Sequence, residues 1–243
     1  MKISGVIPVY QEEGCLAASV QEVGEMLEGL APGEWELVLV NDGSADGTGR
    51  LIDQLAADDG RIRGAHHVEN QGKGAAIRTG VALTTGELVF FSDADLSTPV
   101  NTLQVFMSKM SSDVDIVVGN RKSREATIEL EQPWIRVQLG LGFTWLANLV
   151  TGLSIDDYTC GFKIFRGDAA RKIFGELDTA RWCFDVEVLA RAVREGLTIV
   201  QTPVIWHHVE DTRVRVARDV LQSFVELIAI RRKLGRVPKA DRK

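Results

Sequence analysis

The chain has 243 residues, 45% hydrophobic and 26% charged, with a net charge of −6; this supports a sizeable core in one large domain and excludes a disordered chain. Three cysteines, Cys15, Cys160 and Cys183, with no CxxC pair, argue against a disulfide framework and a structural zinc site and suit a reducing cytoplasm. The opening MKISGVIPVY lacks a signal-peptide core, and no apolar run reaches the roughly 18–20 residues that cross a bilayer.

Strand and helix signals alternate through the first half. SGVIPVY (4–10) is short, apolar and β-branched. Leu16, Val20, Val23, Leu27 and Leu30 recur every three or four residues, so 12–30 reads as a helix that Pro32-Gly33 breaks. WELVLVND (35–42) is a buried strand, and Asp46 or Thr48 can cap a helix through Leu51, Ile52 and Leu55. RIRGAHHV (61–68) is a weaker strand, KGAAIRTGVAL (73–83) a helix opened by glycines, ELVFFSD (87–93) the fourth strand and DIVVGNR (115–121) the fifth, with a helix between them after Pro99. Apolar strands alternating with helices predict an α/β fold: a mostly parallel, Rossmann-like sheet covered by helices on both faces. Ligands then bind beyond the carboxyl ends of the strands. Tyr10-Gln11-Glu12, Asn41-Asp42-Gly43-Ser44 and Asp93-Ala94-Asp95 fall at those ends.

The second half has another character. Residues 1–120 carry 7 Lys+Arg against 18 Asp+Glu, and residues 121–243 carry 21 against 16. PWIRVQLGLGFTWLANLVTGL (133–153) sets Trp134, Phe143 and Trp145 around Arg136; it suits either a helix lying at a membrane interface or a buried core helix. DTARWCFDVEVLARAVREG (178–196) reads as a helix with acids near its start and arginines near its end. TPVIW (202–206) reads as a strand, and the tail from 217 to 243 as a basic amphipathic helix with a charged end. The whole reads as a single domain, 1–243, whose halves, 1–120 and 121–216 with a candidate interfacial segment at 133–150, differ in charge enough to suggest two jobs, followed by the tail 217–243. No nucleic-acid partner is expected.

Asp93 and Asp95 raise a chemical question, because two carboxylates at the end of a buried strand repel each other. The stretch is either a capping turn into the Pro99 helix or a magnesium or manganese site shared with phosphate oxygens. Asp42 can accept from a nucleobase N–H edge or a ribose hydroxyl, although NDGS is also a good turn. NQGKGAA (70–76) sets Lys73 and glycines at a helix start, where phosphate binds well, but it is not a Walker loop. His66-His67 suit a surface or core role.

In this order, VIPVYQE, VNDGSADGT, NQGKGAAIRTG, DADLSTP, VVGNR, DDYTCGFKIF (156–165) and RWCFDVEVL (181–189) resemble the family 2 inverting glycosyltransferases of GT-A fold. The last two stretches are most similar to the dolichyl-phosphate glucosyltransferases, and more loosely to the mannosyltransferases. The resemblance implies that Pro8, Tyr10, Glu12 and Asp42 hold base and ribose. Asp93 and Asp95 would lie at the diphosphate and a Mg or Mn ion, Asp95 as the more direct ligand. His207-His208 would be candidates for the metal side, and Arg213 and Arg215 for a loop over donor phosphates; residues 1–120 would form the nucleotide-sugar half and 121–216 the acceptor half. Arg121 and Arg136 would receive the acceptor phosphate, Asp157 and the CGFK stretch would line the sugar side, and Asp185 and Glu187 would be pocket residues. It implies a peripheral enzyme on the cytoplasmic face of a membrane, although eukaryotic members carry an N-terminal anchor with no counterpart here. The expected reaction moves glucose from UDP-glucose to a polyprenyl phosphate. Mannose from GDP-mannose and a soluble saccharide acceptor are the alternatives; the latter would need Asp157 or Asp185 as base. Oligomeric state is left open.

Overall fold

Strands with two apolar faces cannot face water on either side, and the fold follows from that. The computed structural model describes residues 1–128, 134–207 and 216–235, without the side chains of residues 135, 136 and 216–221. In chain order the elements are β1 Ile3–Val9, α1 Leu16–Leu30, β2 Trp35–Asn41, α2 Thr48–Asp58, β3 Ile62–His66, α3 Lys73–Ala82, β4 Leu88–Phe91 and α4 Thr102–Lys109. Then come β5 Ile116–Asn120, β6 Thr127–Ile128, α5 Trp134–Thr151, β7 Lys163–Arg166, α6 Gly167–Gly175, α7 Phe184–Arg194, β8 Ile199–Pro203, β9 Ile205–Trp206 and α8 Val216–Leu234.

Seven strands form one sheet in the order β3-β2-β1-β4-β7-β5-β8, and β6 pairs with β9 apart from it. All pairings in the large sheet are parallel except those of β7, which runs antiparallel between β4 and β5. The mostly parallel sheet expected from the alternation is therefore present.

The period-two rule divides the core. Val6, Val38, Val40, Val89, Phe91, Ile116, Val118 and Phe165 face one layer, with α3, α5, α6, α7 and α8. Ile3, Ile7, Leu37, Leu39, Leu88, Phe90, Val117 and Ile164 face the other, with α1, α2 and α4. Leu16, Val20, Val23 and Leu27 form the buried stripe of α1, each contributing about 1.5–3 kcal/mol.

Two expectations are corrected in detail. The helix expected over 178–196 begins only at Phe184, because residues 178–183 form a loop whose Ala180 carbonyl accepts from Ala75 at the start of α3. Cys183 opens α7, its N–H donating to Glu226 of α8 at 3.1 Å. The strand expected at 202–206 is split between β8 and β9. β7 and α6 were not distinguished in the sequence pattern. Among the described residues no helix is long and apolar enough to cross a membrane.

Candidate active site

The antiparallel strand concentrates the site. β7 starts where β4 and β5 end, since Lys163 pairs with both Phe91 and Val118. The carboxyl edge therefore gathers Tyr10–Glu12, Asp42, Ser92–Asp95, Arg121 and the loop before β7. Pro8 pairs with Val40, but the β1–β4 ladder has already ended at Val6–Phe91, so its missing N–H does not break that ladder. Tyr10 is exposed one residue beyond the strand. Gln11 is held in the left-handed region, φ 57°, with its N–H on Ser44 Oγ at 2.8 Å. Glu12 accepts at 3.3 Å from the Cys15 thiol, whose pKa burial and that carboxylate push up to about 11.

The two aspartates expected at the metal are held differently. Asp93 is ion-paired with Lys73. Burial opposes the Lys73 charge, but Asp93, Asp185 and Asp95 outweigh it and hold its pKa above the usual value. A Cβ at Gly161 would overlap the Asp93 carboxylate, so any larger residue there would displace that side chain. Asp95 is exposed. One of its oxygens accepts from Ser97 N at 2.9 Å, and the other has no hydrogen-bond partner among the described residues. The loop around it is pinned. Ala94 O accepts from Ser19 Oγ at 2.6 Å, and Ser97 O from His207 N at 2.8 Å. Leu96 takes the left-handed region at φ 48°, a strained conformation that helps aim the aspartate. This is a hard-oxygen site with an open valence, and it fits magnesium or manganese. Among the described residues no three His, Cys, Asp or Glu side chains converge to cage an ion. His208, Arg213 and Arg215 lie outside the described residues, as does the Arg136 side chain.

Asp42 is buried, and its oxygens accept from Gln71 N at 2.9 Å, Gly72 N at 2.8 Å and His67 Nδ1 at 2.7 Å. His67 Nε2 in turn lies 2.9 Å from Thr79 Oγ1. Asp42 thus fixes the turn that delivers Lys73. The glycines of that turn have a packing reason. Gly72 sits at φ 107°, and a Cβ there would come within 2.6 Å of Ala180 O; one at Gly74 would lie 2.5 Å from Phe184 Cβ. The start of α3 is covered by the 179–184 loop, and Lys73 is the side chain it sends to the carboxylates.

The far side of the edge is built from buried ion pairs. Arg121 grips Asp157 through Nε at 2.7 Å, Nη2 at 2.9 Å and its own N–H at 3.1 Å, and Nη2 reaches Thr159 Oγ1 at 2.8 Å. Asp157 is 0% exposed. Burial alone would raise its pKa, but Arg121 holds it at about 2. Lys163 is also fully buried, its ammonium on Asp185 Oδ1 at 2.6 Å, Cys160 O at 2.7 Å and Tyr158 O at 3.0 Å. Burial raises the Asp185 pKa against the pull of Lys163 and Lys73. Glu187 turns away from the edge, accepting from Thr179 N at 2.8 Å and Arg191 Nε at 2.8 Å.

Sequence reading assigned His67 only a surface or core role and Lys163 only a place in the CGFK stretch, and it did not single out Lys122. A lone lysine inside the apolar run GFKIF was the available signal for a buried ion pair. The partners of His67 and Lys122 are distant in sequence and leave no such mark.

The Glycosyl transferase family 2 profile matches residues 4–174. A dolichyl-phosphate beta-glucosyltransferase of Trichomonas vaginalis is 32% identical over 234 residues, covering 93% of this chain and 69% of the relative. Among solved structures, the Pyrobaculum calidifontis mannosyltransferase in complex with GDP-Man and Mn2+ superposes with a TM-score of 0.68 at 19% identity, over 98% of this chain and 66% of that one. Glucosyl-3-phosphoglycerate synthase from Mycobacterium tuberculosis, with Mn2+, UDP and its product, gives 0.67 at 19% identity, over 98% and 81%. At those identities the structural likeness is one of fold, the GT-A fold. The chain belongs to glycosyl transferase family 2.

Proposed function

We infer that this transferase moves glucose from UDP-glucose to a polyprenyl phosphate of the dolichyl type, with inversion, at the cytoplasmic face of a membrane. The relative's name supports sugar and acceptor. The observation that carries the reading lies on the acceptor side. A saccharide hydroxyl must lose a proton as it attacks, so it needs a free base. The two candidates are both committed: Asp157 to Arg121 and Asp185 to Lys163. A phosphate acceptor is already anionic and needs none.

In this reading Pro8, Tyr10 and Glu12 line the nucleoside end, and Asp42 keeps the turn carrying Lys73 in place. Asp95, with Asp93 behind it, would hold magnesium or manganese. When bound, that ion supplies Lewis-acid stabilisation of the leaving diphosphate. The Lys73 ammonium adds a second positive charge there. The acceptor oxygen attacks the anomeric carbon from the opposite side, the bond to the diphosphate breaks, and its electron pair leaves on UDP. Orientation and charge supply the catalysis. The basic stretch that follows Arg121, with Arg136 on α5, would receive the lipid phosphate.

The membrane enters through α5. Trp134, Val137, Leu141, Trp145 and Leu149 are 72%, 43%, 45%, 66% and 56% exposed, and their three- and four-residue spacing sets them on one stripe. An exposed apolar stripe of this length, anchored by two tryptophans, suits a helix lying in the lipid interface.

The test is transfer to polyprenyl phosphate in detergent with magnesium or manganese, with UDP-glucose, UDP-N-acetylglucosamine and GDP-mannose run in parallel. A mild-acid-labile lipid product from UDP-glucose is expected. Product from GDP-mannose alone would change the sugar, and UDP release without lipid product would remove the acceptor.

A further inference from the structure

Arg121 is the obvious receptor for an acceptor phosphate, yet its charge is spent. Two of its nitrogens lie on the two oxygens of a fully buried carboxylate, so the pair enters the site close to neutral. The next residue is different. The Lys122 ammonium donates to Gly140 O at 3.1 Å and to Thr144 Oγ1, both on α5. Both acceptors are neutral, and among the described residues no carboxylate lies within ion-pair distance. Burial is the leading influence on its pKa and lowers it, while Asp157 and Asp156 offset this only in part. A half-buried ammonium without a counter-ion, with a third N–H to give, is poised for an anion.

The helix beside it leaves room for one. Gly140 stands in the interior of α5, where glycine costs about 1 kcal/mol relative to alanine. No packing demands it, since a Cβ there would meet no atom of the described residues within 4 Å. By contrast, Gly72 and Gly74 are forced by close neighbours. The open space at Gly140 adjoins its own carbonyl, which the lysine engages, and lies on the helix that carries the apolar stripe. An anionic head joined to an apolar chain matches all three features.

We propose that Lys122, beside the open space at Gly140 of α5, is the cation that receives the phosphate of the lipid acceptor, while Arg121 acts as a positioning residue that holds Asp157. This rests on the lipid-phosphate reading above. The experiment measures KM for polyprenyl phosphate and for UDP-glucose, with thermal melting, in the unaltered enzyme and in Lys122→Met, Lys122→Arg and Gly140→Leu. Losing one charge-assisted contact raises the lipid KM about ten- to hundredfold. In Lys122→Met that rise is expected with the UDP-glucose KM unchanged, and Lys122→Arg recovers most of it. Gly140→Leu occupies the open space beside Lys122 and is expected to raise the lipid KM while melting at the same or a higher temperature. A purely structural glycine would not combine those two outcomes. An unchanged lipid KM in Lys122→Met or in a stable Gly140→Leu overturns the proposal while leaving the lipid-phosphate reading intact. No lipid product from the unaltered enzyme overturns both.

Discussion

The two halves of the sheet edge handle charge in opposite ways. On the β1–β4 side, Asp95 stands exposed at the edge, the Lys73–Asp93 pair beside it is still part-open to solvent, and the buried Asp42 serves a turn. On the β5–β7 side, Arg121, Asp157, Lys163 and Asp185 are consumed in pairs with little or no exposure. A ligand that brings its own negative charge needs open cations and a cation-binding carboxylate on the side where it leaves. On the side where the attacking group arrives, fixed geometry matters more than free charge. Buried pairs add little net stability, but they fix a loop firmly once both members are present.

The largest expected effect comes from breaking one pair. Arg121→Ala leaves the Asp157 carboxylate buried and alone, a loss of about 3–5 kcal/mol, read as a fall in the denaturant midpoint. Removing both charges, in Arg121→Met with Asp157→Leu, is expected to recover most of that stability without recovering transfer. If the double variant is as unstable as the single one, the pair is not the unit that holds the loop. Asp95→Asn tests the other half. The residue is exposed, so melting is expected to stay put while turnover with UDP-glucose falls about a hundred- to thousandfold. Chelation is expected to reproduce that loss in the unaltered enzyme, and added manganese or magnesium to reverse it. A variant that turns over normally would remove Asp95 from the chemistry.

The same division decided what the sequence could disclose. β1, β2, β4 and β5 were legible because each is a continuous apolar run ending in a polar cluster, and the edge they build was placed from that alone. β7 was not, because four residues with a lysine at the head do not look buried. Its burial depends on Asp185, 22 residues away, which periodicity cannot register. The α6 stripe of Ala169, Ala170, Ile173 and Phe174 has helical spacing and was open to detection. The glycines of NQGKGAA show the reverse problem. Their pattern suggests phosphate, but the neighbour that requires them is the 179–184 loop, over a hundred residues on. Pairing Arg121 with Asp157 likewise needed the fold, since each residue alone reads as a free charge.

Acid titration sharpens the comparison further. Asp157 ionises at about 2 in the fold, below the ordinary value near 4. Its contribution is therefore complete above about pH 4 and is lost as the pH falls toward 2, worth about 2 kcal/mol. Glu36, at the opposite edge of the sheet, behaves alike. Burial would raise it, but hydrogen bonds from Ser4, Thr85 and Lys2 bring it to about 2. Stability is expected to fall in that window, and Asp157→Asn and Glu36→Gln each to flatten the slope of the denaturant midpoint against pH. A slope unchanged in both would place the acid-labile group elsewhere.

The smallest effect concerns α5, where the two halves meet the membrane reading. Trp145 is 66% exposed and touches the fold little, so Trp145→Gln is expected to leave melting and UDP-glucose binding unchanged. It removes one interfacial anchor from a stripe of five, so partitioning onto vesicles is expected to fall only about tenfold. Trp134→Gln is expected to act in the same direction, and the two together roughly additively, because the residues are three turns apart. Vesicle co-sedimentation reads this directly. If both variants partition like the unaltered enzyme, the stripe does not face lipid. If they lose transfer to a short-chain soluble alkyl phosphate as well, the stripe belongs to the acceptor site itself, because a surface that only docks on lipid has no effect on an acceptor already in solution.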